Sequence, residues 1–151
     1  MTARRDGLIV CCAISAGVHA ALVPEHMRES VVTGAGFVGA TVLLVALTIG
    51  LTARPDSRAV TSFATLVLLG LLVSYGVASA IGIPVLHPAV DPIDAVGVLT
   101  KAVELVGLAL AGGLRGPVRG RPIPVGLAGL IGVFSALVAL SLANHHQMSG
   151  M

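Results

Sequence analysis

The sequence predicts an all-α integral membrane protein: a five-transmembrane-helix antiparallel bundle, in one domain over residues 1–151, with a cytoplasmic amino terminus and an external carboxyl terminus. Three observations lead to this prediction: the shortage of charge, the spacing of the apolar segments and the side on which the arginines fall. Of the 151 residues, 56% are hydrophobic and 11% are charged, whereas about a quarter of the residues of a soluble domain are charged. The chain has too few polar side chains to cover a water-soluble globule.

Five apolar segments are long enough to cross a membrane. About 20 residues of helix span the hydrocarbon core, and about 17 residues still suffice. The links between the segments are short and contain proline, glycine and charged residues, which favour turns and place consecutive helices side by side and antiparallel. The predicted spans are 7–23, 31–53, 60–83, 95–114 and 125–143.

The basic residues predict the orientation. With five spans, seven arginines fall on one side, and Arg28 lies on the other side among acidic residues. Loops with excess positive charge stay cytoplasmic, and a small bundle with short, arginine-oriented loops indicates a bacterial-type plasma (inner) membrane. The seven arginines are Arg4, Arg5, Arg54, Arg58, Arg115, Arg119 and Arg121; the acidic residues of the other side are Glu25, Glu29, Asp91 and Asp94.

Two alternatives compete with this topology. The segment 95–114 contains Lys101 and Glu104, and a charge at the centre of a spanning helix costs about 2.5–3.5 kcal/mol. A surface helix would, however, place the last arginine cluster outside the cell. The first segment follows two arginines and ends near small residues at Ala20, which also resembles a cleaved signal peptide; we expect a retained helix.

The histidines predict a metal site on the outer side of the bundle. Imidazole and thioether groups are soft or borderline donors, which favour copper over other metals. The predicted ligands are His19, His26 and His87, with Glu25 and Asp91 hydrogen-bonded to them. Haem fits less well as a cofactor because only His19 is embedded in a helix. The outer-side donors are His19, His26, His87, His145, His146, Met27, Met148 and Met151.

The spacing around His19 indicates that its side chain faces other helices. Cys12, Ser15 and His19 lie on one stripe of the first helix, and polar side chains that face lipid are costly. We expect Pro24 to end this helix, so that His26 folds back over the same mouth. The simpler interpretation is that these are interfacial or pH-sensing histidines without a metal.

Lys101 and Glu104 are predicted to form an intramembrane ion pair. They lie three residues apart on one helix, and Asp94 lies two turns above Lys101. Ionisable groups at this depth face the interior of a bundle. Two roles are compatible with the spacing: a functional site, or a salt bridge that fixes helix packing.

These residues favour a non-enzymatic protein of metal handling or sensing, with an outward-facing mouth that binds copper. The alternatives are a non-catalytic accessory subunit of a larger membrane complex, and a small proton-coupled carrier that uses Lys101 and Glu104. The sequence has no Walker loop, dinucleotide-binding glycine pattern, HExxH motif or nucleophile elbow. Expected partners are the lipid bilayer and a membrane protein or a second copy of the chain. Nucleic acid is not expected, because Trp is absent and other aromatics are scarce.

Overall fold

Four helices make up most of the described part of the chain. The computed structural model describes residues 2–81, residues 94–113 and four residues beyond them, Ala128, Ile131, Gly132 and Phe134. The helices are α1 (Thr2–Glu29), α2 (Val31–Ala53), α3 (Arg58–Ile81) and α4 (Ala95–Gly112). Each is long and apolar enough to cross a membrane, and no strand occurs in the described residues. The prediction of helices able to cross a membrane is confirmed for these four segments.

α1 is the central helix of the bundle. Of its most apolar stretch, 56% is buried, compared with 17–22% in the other three helices, and it packs against both α2 and α4. The core joins one face of α1 to Leu44 and Leu51 of α2 and Leu68 of α3. Valine, leucine and isoleucine side chains lie exposed on the outer faces of α2, α3 and α4, as expected for helices surrounded by lipid rather than water.

Side-chain caps close the starts of α2 and α4. The Ser30 side chain accepts from the backbone amide of Thr33 at the start of α2, and the Asp94 side chain accepts from the amide of Gly97 at the start of α4. Ser30 is the single residue between α1 and α2, so these two packed helices run antiparallel. Near the other end of α1, Arg4 donates to the carbonyl oxygen of Gly113, and this bond joins the start of α1 to the end of α4.

One expectation about α1 is wrong. Pro24 does not end the helix, which continues to Glu29. A proline removes one backbone hydrogen bond, and spanning helices tolerate that loss when their surroundings satisfy the freed carbonyl group. The helix is therefore longer than the predicted span 7–23, and Arg5, which precedes that span, is fully buried.

The predicted fifth span is described at four positions only. Ala128, Ile131, Gly132 and Phe134 are helical, and Ala128 and Ile131 belong to the core cluster around α1. A Cβ atom on Gly132 would lie 3.1 Å from the carbonyl oxygen of Ala13. This glycine therefore allows close approach to the backbone of α1. The remainder of 125–143 lies outside the described residues.

Gly107 tests the close packing of α1, α3 and α4. A Cβ atom there would lie 3.1 Å from both Cys11 Cβ and Leu68 Cδ1. We expect Gly107→Val to lower the free energy of unfolding by about 1–3 kcal/mol, because extra methyl groups overpack the contact. The measurement is thermal unfolding in detergent. The matched control is Gly70→Val, because a Cβ atom on Gly70 meets nothing within 4 Å; equal destabilisation by both variants would contradict the packing described here.

Candidate functional site

A polar stripe on α1 begins the candidate site. Cys12 and Ser15 are fully buried and His19 is 6% exposed, so this stripe faces the other helices. His26 lies two turns beyond His19 on the same face, because α1 continues through Pro24. His26 thus reaches the same region along the helix rather than by a fold of the chain.

The orientation of His19 is set by its own helix. Its Nδ1 lies 2.9 Å from the carbonyl oxygen of Ser15 and 3.4 Å from the Ser15 hydroxyl. A carbonyl oxygen only accepts, so Nδ1 carries the hydrogen and donates it. In the neutral ring Nε2 then bears the lone pair, and this atom lies 3.9 Å from Oε1 of Glu104.

Glu104 is the centre of a buried polar network. Its side chain is fully buried. The Ser15 hydroxyl donates to Oε1 over 2.7 Å, and the Lys101 ammonium donates to Oε2 over 2.7 Å. The pair of Lys101 and Glu104 lies within one helix. The hydrogen bond from Ser15 to Glu104 and the short distance between His19 and Glu104 connect α1 to α4.

This network has a place for one additional proton. A lone pair on Nε2 of His19 and an ionised Glu104 repel each other, whereas a proton on Nε2 produces an imidazolium beside a carboxylate. The titratable side chains that line the same cavity as His19 come from three parts of the chain, and α2 contributes the Phe37 ring. They are Glu25, His26 and Glu29 of α1, Tyr75 of α3, and Asp94 and Lys101 at the start of α4 and within it. The geometry can therefore hold or release a proton between α1 and α4.

A cavity of about 400 Å³ opens beside the network. Residues from all four helices line it. Buried lining residues include His19 and Thr100, whereas Glu25, Glu29 and Asp94 are exposed and form what we name the acidic mouth. The Lys101 ammonium lies 5.5 Å from the centre of the Tyr75 ring, which is within the range of a cation–π contact.

The predicted metal ligands are only partly brought together. His19 and His26 line the same cavity, as does Glu25, and both imidazoles contact the Phe37 ring, with centroid distances of 5.4 Å and 3.9 Å. The third predicted ligand, His87, and Asp91, which is predicted with Glu25 to orient the ligands, lie outside the described residues. Within the described parts of the chain, no three His, Cys, Asp or Glu side chains form a group that could hold a metal ion.

Two contacts of the site are not predicted by the sequence. The spacing predicts that Ser15 lies on the His19 stripe, but it predicts neither the bond of Ser15 to Glu104 nor the contacts of Phe37 with the two imidazoles. Tyr75 lines the cavity, and its hydroxyl is buried with no hydrogen-bond partner in the described region. The signal for Ser15 was its position one turn before His19 on a face that had to meet other helices.

The bond from Ser15 to Glu104 can be tested alone. We expect Ser15→Ala to destabilise the protein by about 1.5–3 kcal/mol, the usual contribution of a hydrogen bond to a charged group, measured by thermal unfolding in detergent. Ser74→Ala is the matched control, since Ser74 is exposed and donates only within its own helix. Unchanged stability of Ser15→Ala would contradict the bond.

Comparisons with protein-family models, curated proteins and solved structures give no match for this chain.

Proposed function

We propose that the chain is a small proton-coupled carrier of a bacterial-type plasma (inner) membrane. Five spans surround a solute cavity that opens outside the cell, and the amino terminus is cytoplasmic. The distribution of the arginines supports this orientation. The helical residues at 128, 131, 132 and 134, two of which pack into the core around α1, support the fifth span.

The observation that carries the proposal is the contact of the fully buried Glu104 with Ser15, His19 and Lys101. Ionisable groups within spanning helices are costly and mark proton relays and substrate pathways. Glu104 accepts hydrogen bonds from Ser15 and Lys101 and lies 3.9 Å from Nε2 of His19, and both His19 and Lys101 line the cavity. A structural salt bridge alone needs neither the imidazole nor the cavity.

Coupling follows from the closeness of the proton site to the cavity. His19 and Lys101 both line the cavity, so a proton bound by His19 changes the charge that a solute meets. Charges interact strongly where water is scarce. If a solute changes the proton affinity, the proton must change the solute affinity by the same factor.

A solute screen tests this function. The full-length protein is reconstituted in liposomes that contain a pH-sensitive dye, and gradients of cationic, anionic and neutral solutes are imposed one at a time. At least one charged solute should move protons across protein-containing liposomes and not across empty ones. If none of the solutes moves protons, the proposal is overturned. That result would favour the accessory subunit, which should co-purify with a larger membrane complex.

Copper binding is a second candidate, favoured by the two histidines of the cavity. Nδ1 of His26 donates to the carbonyl oxygen of Leu22 over 3.0 Å, as Nδ1 of His19 does to Ser15. Such bonds orient histidines that ligate metals through Nε2. His87 is the proposed third ligand. Copper titration of the parent protein, His19→Ala and His87→Ala tests this, and absence of binding by the parent at neutral pH would contradict it.

A further inference from the structure

The charge of the cavity is unbalanced at its mouth. Three carboxylates, those of Glu25, Glu29 and Asp94, line this exposed end. Lys101 is the one lysine or arginine among the described lining residues, and its ammonium is already paired with Glu104 over 2.7 Å. Arg28 lies between the two glutamates in sequence but does not line the cavity. A ligand at the mouth therefore meets excess negative charge.

The walls beneath the mouth are mainly apolar and aromatic. They include Phe37 and Ala40 of α2 and Leu71 and Tyr75 of α3. A volume of about 400 Å³ lies within the roughly 300–1,000 Å³ of small-molecule sites. A hydrated metal ion would leave these walls in contact with water, whereas an organic group would cover them.

Two hydroxyl groups of the lining indicate an occupant with polar atoms. The oxygens of Thr33 and Tyr75 are buried and have no hydrogen-bond partner in the described parts of the chain. Buried polar groups are nearly always hydrogen-bonded. A bound molecule or its water can supply the missing partner.

We propose that the cavity binds a monovalent organic cation with an apolar body. The cationic group lies among Glu25, Glu29 and Asp94, and the apolar body contacts Phe37 and Leu71. Such a cation is the solute class of the proposed carrier. Its transport rests on the carrier proposal, whereas its binding does not. A proton at His19 opposes the bound cation by like-charge repulsion, so the predicted transport is exchange of the cation for a proton.

Equilibrium binding to the detergent-purified full chain tests the inference without a proton gradient. The probe is benzylammonium, whose N–H groups can donate to the hydroxyl oxygens of the lining, and benzylsulfonate is an anion of similar size. We expect the cation to bind, the anion not to bind, and added salt to weaken binding of the cation by screening. The double variant Glu25→Gln, Glu29→Gln should weaken binding of the cation by about tenfold or more, because it removes two of the three charges of the mouth.

The matched control is Asp56→Asn, which removes a carboxylate in the link between α2 and α3 and does not alter the cavity lining; it should bind the cation as the parent does. Absence of cation binding, equal or tighter binding of benzylsulfonate, or full affinity in the glutamate double variant would each overturn the inference. The solute screen tests the carrier proposal separately. If an anion rather than a cation moves protons in that screen, the protein is a carrier but its solute is not an organic cation.

Discussion

Neutralising either member of the Lys101–Glu104 pair is expected to destabilise the protein by about 3–5 kcal/mol, because the remaining charge is left without its partner in a buried site. Glu104 has no exposed side-chain surface and the side chain of Lys101 is 15% exposed. In Lys101→Met, the Glu104 carboxylate loses the bond from Lys101 and keeps, among the described residues, the bond from Ser15. In Glu104→Gln, the ammonium of Lys101 meets an amide instead of a carboxylate.

The double variant Lys101→Met, Glu104→Gln should regain most of this loss. It buries no charge, and the amide oxygen of the new glutamine can still accept from Ser15. Replacing a buried ion pair by uncharged groups is often nearly neutral. The measurement is thermal unfolding of all three variants in detergent, with the exposed Arg28→Gln as a control that should change stability by no more than about 0.5 kcal/mol. If both single variants were as stable as the parent, the ion pair of Lys101 and Glu104 would not contribute to the free energy of unfolding.

Replacement of His19 by glutamine is expected to abolish solute-driven proton movement in liposomes, a loss of at least about tenfold. The amide of glutamine can donate to the Ser15 carbonyl as Nδ1 does, but it cannot take up a proton beside Glu104. The free energy of unfolding should therefore change far less than in the single variants of the ion pair. Thermal unfolding of the same preparation separates loss of the proton site from loss of the fold.

His26→Gln is the matched control for this variant. His26 lines the same cavity and makes the same kind of Nδ1 bond to a backbone carbonyl, but no contact joins it to Glu104 among the described residues. It should retain proton movement. Equal loss of proton movement in the two variants would mean that proximity to Glu104 does not distinguish His19, and would contradict its role.

Composition and segment length were sufficient to predict the membrane class of the fold. Only 11% of the residues are charged, and the apolar stretches have the length of a spanning helix. A helical bundle within the membrane satisfies the backbone hydrogen bonds of such stretches in lipid. The sequence mispredicts the end of α1 because a proline ends a helix readily in water, where the freed backbone groups bind solvent. In a bundle the helix continues, and this places His26 on the face of His19.

The partners of Glu104 on α1 could not be read from the chain. Lys101 is three residues away, so helical periodicity alone puts it within reach, but Ser15 is 89 residues away. Its contact depends on how α1 is rotated against α4, which packing at Gly107 and Cys11 helps to set. The positions of the histidines on the outer side of the membrane predict that His19 and His26 share a mouth. Those positions give no distance between side chains, so they do not predict that His19 faces a carboxylate.

The central claim is that His19 and Glu104 hold one exchangeable proton between α1 and α4. ¹⁵N nuclear magnetic resonance of the imidazole nitrogens, recorded on the full chain from about pH 9 to about pH 4 and assigned with His19→Gln, measures this directly. We predict that Nδ1 of His19 carries a hydrogen throughout and that Nε2 gains one as the pH falls. A neutral ring with the hydrogen on Nε2, or an Nε2 signal that does not change over this range, would contradict the claim.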